Sequence, residues 1–560
     1  MGIIAGLAAV ALKQTVHLIQ KFLIPGFEYY NFLKIALPFF GIFLTVLLAR
    51  YLLKDTLGHG ITNILYAISK KSGIIRRTLM YSRMITSAVT VGLGGSVGLE
   101  APIVVTGSAI GSNFGRLFHL DYKRRTLLIG CGAAGAISAI FNSPIAGVIF
   151  TVEVILMEVT ITALIPILIA SVTASLVSLT LLGDEVLFSF RLQDPFTAGD
   201  VPYYILLGLI CGLISVYFTR TTFMIERLIG RIDNKIKKAI LGGLALGLII
   251  FVFPPIYGEG YNTIKALLAG QEIQIFNTSL FQGGGESILI TGLFILGVLL
   301  IKPVASALTV GAGGSGGIFA PSLFIGGMTG FLYAYLVNIV FGEGTISTSN
   351  FLLVGMCGVM SGVLQAPLTA IFLIAEITSG YTLFVPLMLV SALAFSSSSY
   401  FEKYSIYTKH LIEQGDLIQY DKDRQVLSLI NLKKIIEKDL LIIKPDATLK
   451  ELTDLVKISQ RNIFPVVNDD GELVGIVTLD DIREKMFDDE ARENLLVQTL
   501  MHNPPTQVNP QENMQSVMSK FELTGAWNLP VIENGKYIGF VSKSRIFNSY
   551  RKKLVRQAKE

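Results

Sequence analysis

Hydrophobic and polar positions divide the chain into two regimes. Long apolar runs recur through the larger first part: Ala36–Leu53, Thr160–Leu182, Tyr203–Thr219, Ile240–Phe253 and Ile288–Ile301. Several approach the ~20 residues that a helix needs to cross a hydrocarbon layer. Near Gln414 the pattern changes. From "EQGDLIQYDKDRQ" onward charges are frequent, and the apolar runs shorten to "IFPVV", "LVGIV", "LPVI" and "YIGFV". These are strand-length segments separated by helical patterns. The pattern predicts a polytopic α-helical membrane region over residues 1–413 and an α/β domain over 414–560.

Composition supports that division. Of 560 residues, 52% are hydrophobic and 16% charged, well below the roughly 25% charged of soluble domains. The net charge of +5 is mild and spread out, so no nucleic-acid partner is expected. Cys131, Cys211 and Cys357 lie in apolar stretches without disulfide or metal-ligand spacing. The start, "MGIIAGLAAVALKQTV", has neither a basic n-region nor a small-residue cleavage pattern, so no signal peptide is expected and a helix should begin almost at once.

The membrane region repeats itself. "GLGGSVGLEAPIVVTGSAIG" (92–111) superimposes on "GAGGSGGIFAPSLFIGGMTG" (311–330) at an offset of 219, and "FNSPIAGVIFTVEV" on "LQAPLTAIFLIAEI", pairing Pro144 with Pro367 and Glu153 with Glu376 at an offset of 223. Two related halves with glycine-interrupted segments at matching places point to a transport site where the halves meet. Glycine lets the backbone leave a helix, and proline suits the first turn of a new one. Each motif therefore reads as a broken membrane helix with a fresh N-terminus, whose N–H donors attract an anion. Close helix packing through small residues is the competing reading. Glu100 is a lone acid in this apolar surround, and such residues are usually functional.

These motifs resemble the CLC chloride channels and proton/chloride exchangers. The family's anion-site motifs GSGIP, GREGP and GxFxP are similar to "GHGIT" (Gly58–Thr62), "GLEAP" (Gly98–Pro102) and "GIFAP" (Gly317–Pro321), and its late tyrosine to Tyr407 in "KYSIYTKHL". The resemblance implies a homodimer in the lipid bilayer with oppositely inserted halves and one chloride pathway per subunit. It implies that Glu100 is the gating glutamate. Gly58, His59, Gly60, Gly98, Gly317, Ile318, Phe319 and Tyr407 would surround the ion, Ile318 and Phe319 through backbone N–H groups and Tyr407 through its hydroxyl. There are departures. His59 replaces the usual serine, and it either donates to the ion or turns away. Thr62 replaces the motif proline, and Leu99 and Ala101 replace the residues flanking the glutamate. Exchangers of the family typically carry a proton-relay glutamate where this chain has Val154, which implies channel-like transport; proton-coupled exchange by another route is the alternative. Glu153 next to it is either a structural acid or a substitute relay.

The tail also repeats. "FPVVNDDGELVGIVTLDDI" (464–482) resembles "LPVIENGKYIGFVSKSRI" (529–546), each a Pro-Val strand, a tight turn, a second strand, a hydroxyl residue and a helix. This looks like a pair of CBS repeats, near 430–490 and 495–550, which the resemblance places in the cytosol. Such pairs often bind an adenine nucleotide (ATP, ADP, AMP or a cyclic dinucleotide). Thr478 and Asp481 would hold phosphate and ribose in the first repeat. In the second, Arg545 stands where the acid would be. Trp527 either stacks on adenine or fills a core. A purely dimerising pair is the competing reading.

Two other function classes fit less well. A divalent-cation channel needs several convergent carboxylates or carbonyls, whereas these motifs offer amide donors and one acid. An intramembrane enzyme needs a nucleophile–base or metal-ligand pattern, and the sequence offers no H-E-x-x-H among its five histidines.

Overall fold

The computed structural model describes residues 1–29, 31–55, 60–156, 160–183, 196–271, 288–378, 380–413, 427 and 430–559. Contacts group the chain into two compact units, Met1–Leu417 and Ile418–Glu560.

The apolar runs of the first unit become helices because a backbone out of water must bond internally. In chain order these are α1 (Gly2–Tyr29), α2 (Asn31–Leu47), α3 (Gly60–Lys70), α4 (Ser82–Gly92), α5 (Glu100–Leu117), α6 (Tyr122–Phe141), α7 (Pro144–Phe150), α8 (Ile161–Leu182) and α9 (Val201–Gly230). The series continues with α10 (Lys235–Val252), α11 (Tyr261–Leu268), α12 (Ile288–Gly311), α13 (Phe319–Phe341), α14 (Thr348–Leu364), α15 (Pro367–Ile377), α16 (Phe384–Phe401) and α17 (Ile406–Glu413). Among the described residues, eight helical stretches are long and apolar enough to cross a membrane. Outward-facing side chains on α8, such as Ile161, Ile165 and Ile169, are exposed and apolar, as a lipid-facing surface requires. The two glycine-rich helices α5 and α13 lie instead in the interior, packed against α6 and α14.

The repeat is visible in the backbone. Gly94 and Gly313, repeat mates, turn with φ of 97° and 102°, a conformation that glycine adopts without steric cost. Asn142 and Gln365, also mates, end α6 and α14 in the left-handed region at φ 55° and 52°. The glycine-rich turns brace each other. Ser96 N–H donates to Thr309 Oγ1 (3.2 Å), and Ser315 N–H donates to Thr90 Oγ1 (3.0 Å).

In the second unit, β1 (Ile463–Val467) pairs antiparallel with β2 (Leu473–Thr478), and β3 (Asn528–Glu533) with β4 (Lys536–Ser542). A parallel bridge adds Ile443 to β1 and Val508 to β3. The helices are α18 (Leu449–Ile458), α19 (Leu479–Ile482), α20 (Asp489–Asn494), α21 (Met514–Thr524) and α22 (Lys543–Lys559). Thr448 and Glu451 cap α18 reciprocally, and Asn513 caps α21. Each repeat has its own apolar core, one around Phe464 and Val477, the other around Phe521 and Val541.

Candidate functional site

The glycine-rich turns end where α5 and α13 begin, and there the two halves touch. Gly98 and Gly317 exchange both backbone hydrogen bonds at 2.8 Å in an antiparallel bridge. Their amides are therefore spent on each other. What these glycines contribute is closeness: a Cβ on Gly317 would come within 2.6 Å of Ala101 Cβ, and one on Gly98 within 2.0 Å of Glu100 Oε2. The first residues of α5 and α13 have no preceding helical turn to accept from them, so two helix N-termini converge beside this bridge.

Glu100 lies between them and is 1% exposed. Its carboxylate folds back over Gly98. The amides of Glu100 and of Ala320, the latter in the first turn of α13, face it. Oε1 accepts a hydrogen bond from Tyr261 Oη at 2.6 Å. Oε2 is buried with no partner of ordinary geometry. A buried carboxylate oxygen left unpartnered is costly. The group is thus held by a side-chain donor at Oε1 and by none at Oε2.

Below it, α3 begins at Gly60. The sequence departure at Thr62 acquires a role here: its hydroxyl donates to the Tyr407 carbonyl at 3.1 Å and ties α3 to α17. The Tyr407 hydroxyl is buried without a partner. A narrow cleft is lined by Gly60, Ala101, Gly317, Ile318 and Tyr407. Gly60, Gly98, Glu100, Gly317, Ile318 and Tyr407 are therefore gathered at the meeting of the halves. Phe319, at the N-terminus of α13, sends its ring the other way, 5.4 Å from Phe141 and 6.1 Å from Phe150, so only its backbone faces the site. Gly58 and His59 lie outside the described residues.

Three residues of this site escaped the motif reading. Tyr261 bonds Glu100 directly. Glu259 Oε1 accepts from the Leu99 N–H at 3.1 Å, immediately before Glu100. Lys302 is fully buried and donates to the carbonyls of Ile256 (3.1 Å) and Gly258 (2.9 Å), which pins the loop carrying Glu259. Lys302 had a readable signal, a lone charge inside the apolar run of α12, the same signal that picked out Glu100. Glu259 and Tyr261 sit in "YGEGYN", the turn that runs into the first residues of α11, where no periodicity marks them.

The paired acids have a different job. Glu153 accepts from the amides of Leu368 (3.2 Å) and Thr369 (2.8 Å) and from the Thr369 hydroxyl (2.7 Å), capping α15. Glu376 accepts from the amides of Ile145 (2.9 Å) and Ala146 (2.8 Å), capping α7. Each half thus caps the other's helix. Val154, one residue on, packs partly buried against the core.

In the tail, Thr478 and Asp481 bond each other. Asp481 Oδ2 accepts from the Thr478 amide and hydroxyl, both at 2.7 Å, and lies 3.4 Å from His502 Nδ1. In the second repeat Ser542 is buried, and its hydroxyl donates to Glu437 at 2.6 Å. Trp527 is 71% exposed, with Lys543 Nζ 5.5 Å from its ring centroid. It does not fill a core.

Comparison with known proteins bears on the family and the fold. The profile described as voltage gated chloride channel matches residues 40–399, and that of the CBS domain matches 432–488 and 497–552. The chain is 29% identical over 484 residues to chloride channel protein CLC-f of Arabidopsis thaliana, covering 76% of this chain and spanning 60% of that relative. It is 26% identical over 407 residues to the H(+)/Cl(-) exchange transporter ClcA of Vibrio cholerae, covering 70% of this chain and 83% of the relative. Among solved structures, a eukaryotic CLC transporter superimposes with a TM-score of 0.61 at 20% identity, over 97% of this chain and 96% of that one.

Proposed function

The chain belongs to the voltage gated chloride channel family, as an integral membrane protein with a CBS pair, and on that premise we propose that it passes chloride or a similar anion, with Glu100 as the gate. The observation that carries this is the Glu100 carboxylate, lying where the N-termini of α5 and α13 converge and held at only one oxygen. A site of helix N-termini offers an anion partial charges rather than full ones, which allows release as well as binding. The carboxylate competes for that site as a tethered anion, and protonation or displacement clears it. Ile318 and Phe319 would offer backbone amides, and Tyr407 its unpartnered hydroxyl. The working unit is a homodimer with the CBS pair in the cytosol, and an adenine nucleotide at Thr478 and Asp481 regulates it.

Val154 cannot hold a proton, and Glu153 is committed to the α15 cap, so transport is channel-like. Proton-coupled exchange is the second reading, favoured by the similarity to the ClcA exchange transporter; it would need a route that avoids Val154. In proteoliposomes, Glu100→Gln is expected to raise chloride efflux at neutral pH by about tenfold, a barrier change of ~1.4 kcal/mol, and to weaken its pH dependence. Efflux as pH-dependent as that of the native protein would remove Glu100 from the gate. Stoichiometric uphill proton movement driven by a chloride gradient would decide for exchange.

A further inference from the structure

Glu437 is buried in the second unit, 7% exposed, and both of its carboxylate oxygens are engaged. Oε1 accepts from the Ser542 hydroxyl at 2.6 Å, and Oε2 pairs with the Arg461 guanidinium. Arg461 also lies 3.4 Å from Asp439, an exposed acid. The backbone of Glu437 is fixed separately: its amide donates to the Phe540 carbonyl at 2.8 Å, and its carbonyl accepts from the Phe540 amide at 2.9 Å. The side-chain bonds are therefore separable from the strand pairing. Burying an ion pair costs desolvation that its attraction does little more than repay, so stability alone is a weak reason for one.

The repeat gives this pair a meaning. Antiparallel bridges join Glu437 to Phe540 and His502 to Ile476. Ile476 and Phe540 are repeat mates at an offset of 64, as are Thr478 and Ser542. Glu437 and His502 therefore hold equivalent places, each running from one repeat toward the hydroxyl position of the other. At the first position His502 stays half-exposed, 3.4 Å from an accessible Asp481. At the second, the Glu437 carboxylate covers Ser542. The flanking residues differ too. Arg461 answers by position to Ala526, and Arg545 to Asp481. The second position has thus lost the acid that suits ribose hydroxyls and gained a guanidinium, whose fork matches carboxylate and phosphate alike. Here it holds a carboxylate. We propose that the second CBS repeat carries an anion site for a phosphate group, built from Arg461 and Ser542, with Glu437 as its resident, tethered ligand. A phosphorylated small molecule enters only in exchange for that carboxylate. The site rests on the CBS-pair assignment and is independent of the nucleotide at the first repeat. A ligand that binds only the opened form has its affinity reduced by the open fraction, so a carboxylate seated about nine-tenths of the time weakens binding about tenfold.

The test counts bound nucleotide on the full chain in detergent, by equilibrium dialysis with labelled ATP. Glu437→Ala should gain one equivalent per chain over the native protein. The native protein should take up that second equivalent only at a concentration about tenfold higher or more. Adding Arg461→Gln to Glu437→Ala should abolish the gain. Inorganic phosphate at constant ionic strength should displace the second equivalent, because the site reads phosphate and has no ribose acid. Counting the difference between variant and native keeps two readings apart. A native protein that binds no ATP fails the nucleotide reading of the first repeat, and Glu437→Ala then still answers for the second with one equivalent or none. No gain in Glu437→Ala overturns the anion site, and so does a gain that survives Arg461→Gln or that phosphate leaves in place. If Glu437→Ala does not elute as assembled protein, Glu437→Gln takes its place, since an amide still accepts from Ser542 but releases Arg461. If neither variant assembles, the weak second equivalent of the native protein decides: its presence and its loss in Arg461→Gln support the site, and its absence, or its survival in Arg461→Gln, overturns it.

Discussion

The two halves of the membrane unit carry acids of two kinds. Glu153 and Glu376 are repeat mates, and each caps a helix of the opposite half. Glu100 has Phe319 as its mate, and the two side chains part company: the phenyl ring enters the core between Phe141 and Phe150, while the carboxylate turns onto the helix N-termini. The bracing around them stays symmetric, with the Gly98–Gly317 bridge and the reciprocal Ser–Thr bonds. A duplicated scaffold keeps what folding needs in both copies. A site for one ion on a two-fold-like seam needs only one carboxylate, and a second would repel the first. An acid with a mate is then read as structural, and an acid without one as functional.

The largest expected effect tests that division through stability. Glu376→Ala removes the acceptor of two part-buried amides of α7, and Glu153→Ala removes that of one exposed and one part-buried amide at α15. Losing charge-assisted bonds to backbone donors costs about 2–4 kcal/mol at each site. Both variants should unfold at lower temperature in detergent by fluorescence-detected elution. Glu100→Gln should not, because it removes a partly unpaired buried charge. A Glu100→Gln protein as destabilised as Glu376→Ala would erase the distinction.

Much of this was legible in the sequence because it rests on local signals. Runs of apolar residues gave the helices, and turn glycines with a following proline placed the starts of α5 and α13. The Asn534–Gly535 pair, both at positive φ, marked the β3–β4 turn. The repeat offset predicted that Glu153 and Glu376 share a register, and the cross-capping gives the reason. Contacts that join segments far apart were not legible. Nothing in "YGEGYN" says that Tyr261 will meet Glu100, 161 positions away. The exchange of bonds between Gly98 and Gly317 likewise has no sequence trace, although both glycines are conspicuous. Thr62 looked like a loss, a motif proline gone, and its hydroxyl instead fastens Tyr407. The CBS reading assigned Thr478 and Asp481 to phosphate and ribose; their bonds to each other show that the spacing serves helix capping.

A smaller effect sharpens the account of Glu100. Tyr261→Phe removes the hydroxyl that donates to the Glu100 carboxylate and little volume. A hydrogen bond to a charged group contributes about 1.5 kcal/mol or more, so a gate without it should leave its position more readily. Chloride efflux at neutral pH is expected to rise roughly 3- to 10-fold, with pH dependence retained, since Glu100 still titrates. If Tyr261→Phe instead abolishes pH dependence as fully as Glu100→Gln, the hydroxyl is itself part of the proton path and the gate extends to α11.

The smallest effect carries the same comparison into the tail, where again one of two repeats keeps an acid. Asp481 answers to Arg545, and the hydroxyl of Ser542 is already taken by Glu437. One adenine nucleotide per chain is therefore expected, at the first repeat. Trp527 is the only tryptophan, and its exposure makes its emission a direct reporter of what approaches the second repeat. Nucleotide should change that emission saturably. Asp481→Ala should move the midpoint to higher concentration by only about 3- to 5-fold, roughly 1 kcal/mol, because Oδ2 is shared with Thr478 and a ribose hydroxyl would replace bonds that already exist. Asp481→Ala also removes a cap from the short α19, at a cost of about 1 kcal/mol, so Asp481→Asn, which still accepts from the Thr478 amide, separates capping from ribose binding. Tight calorimetric binding that survives both variants would assign the nucleotide to another acid. No binding by either method would leave the CBS pair as a dimerising module, and the asymmetry between Asp481 and Arg545 would then have no bearing on a ligand.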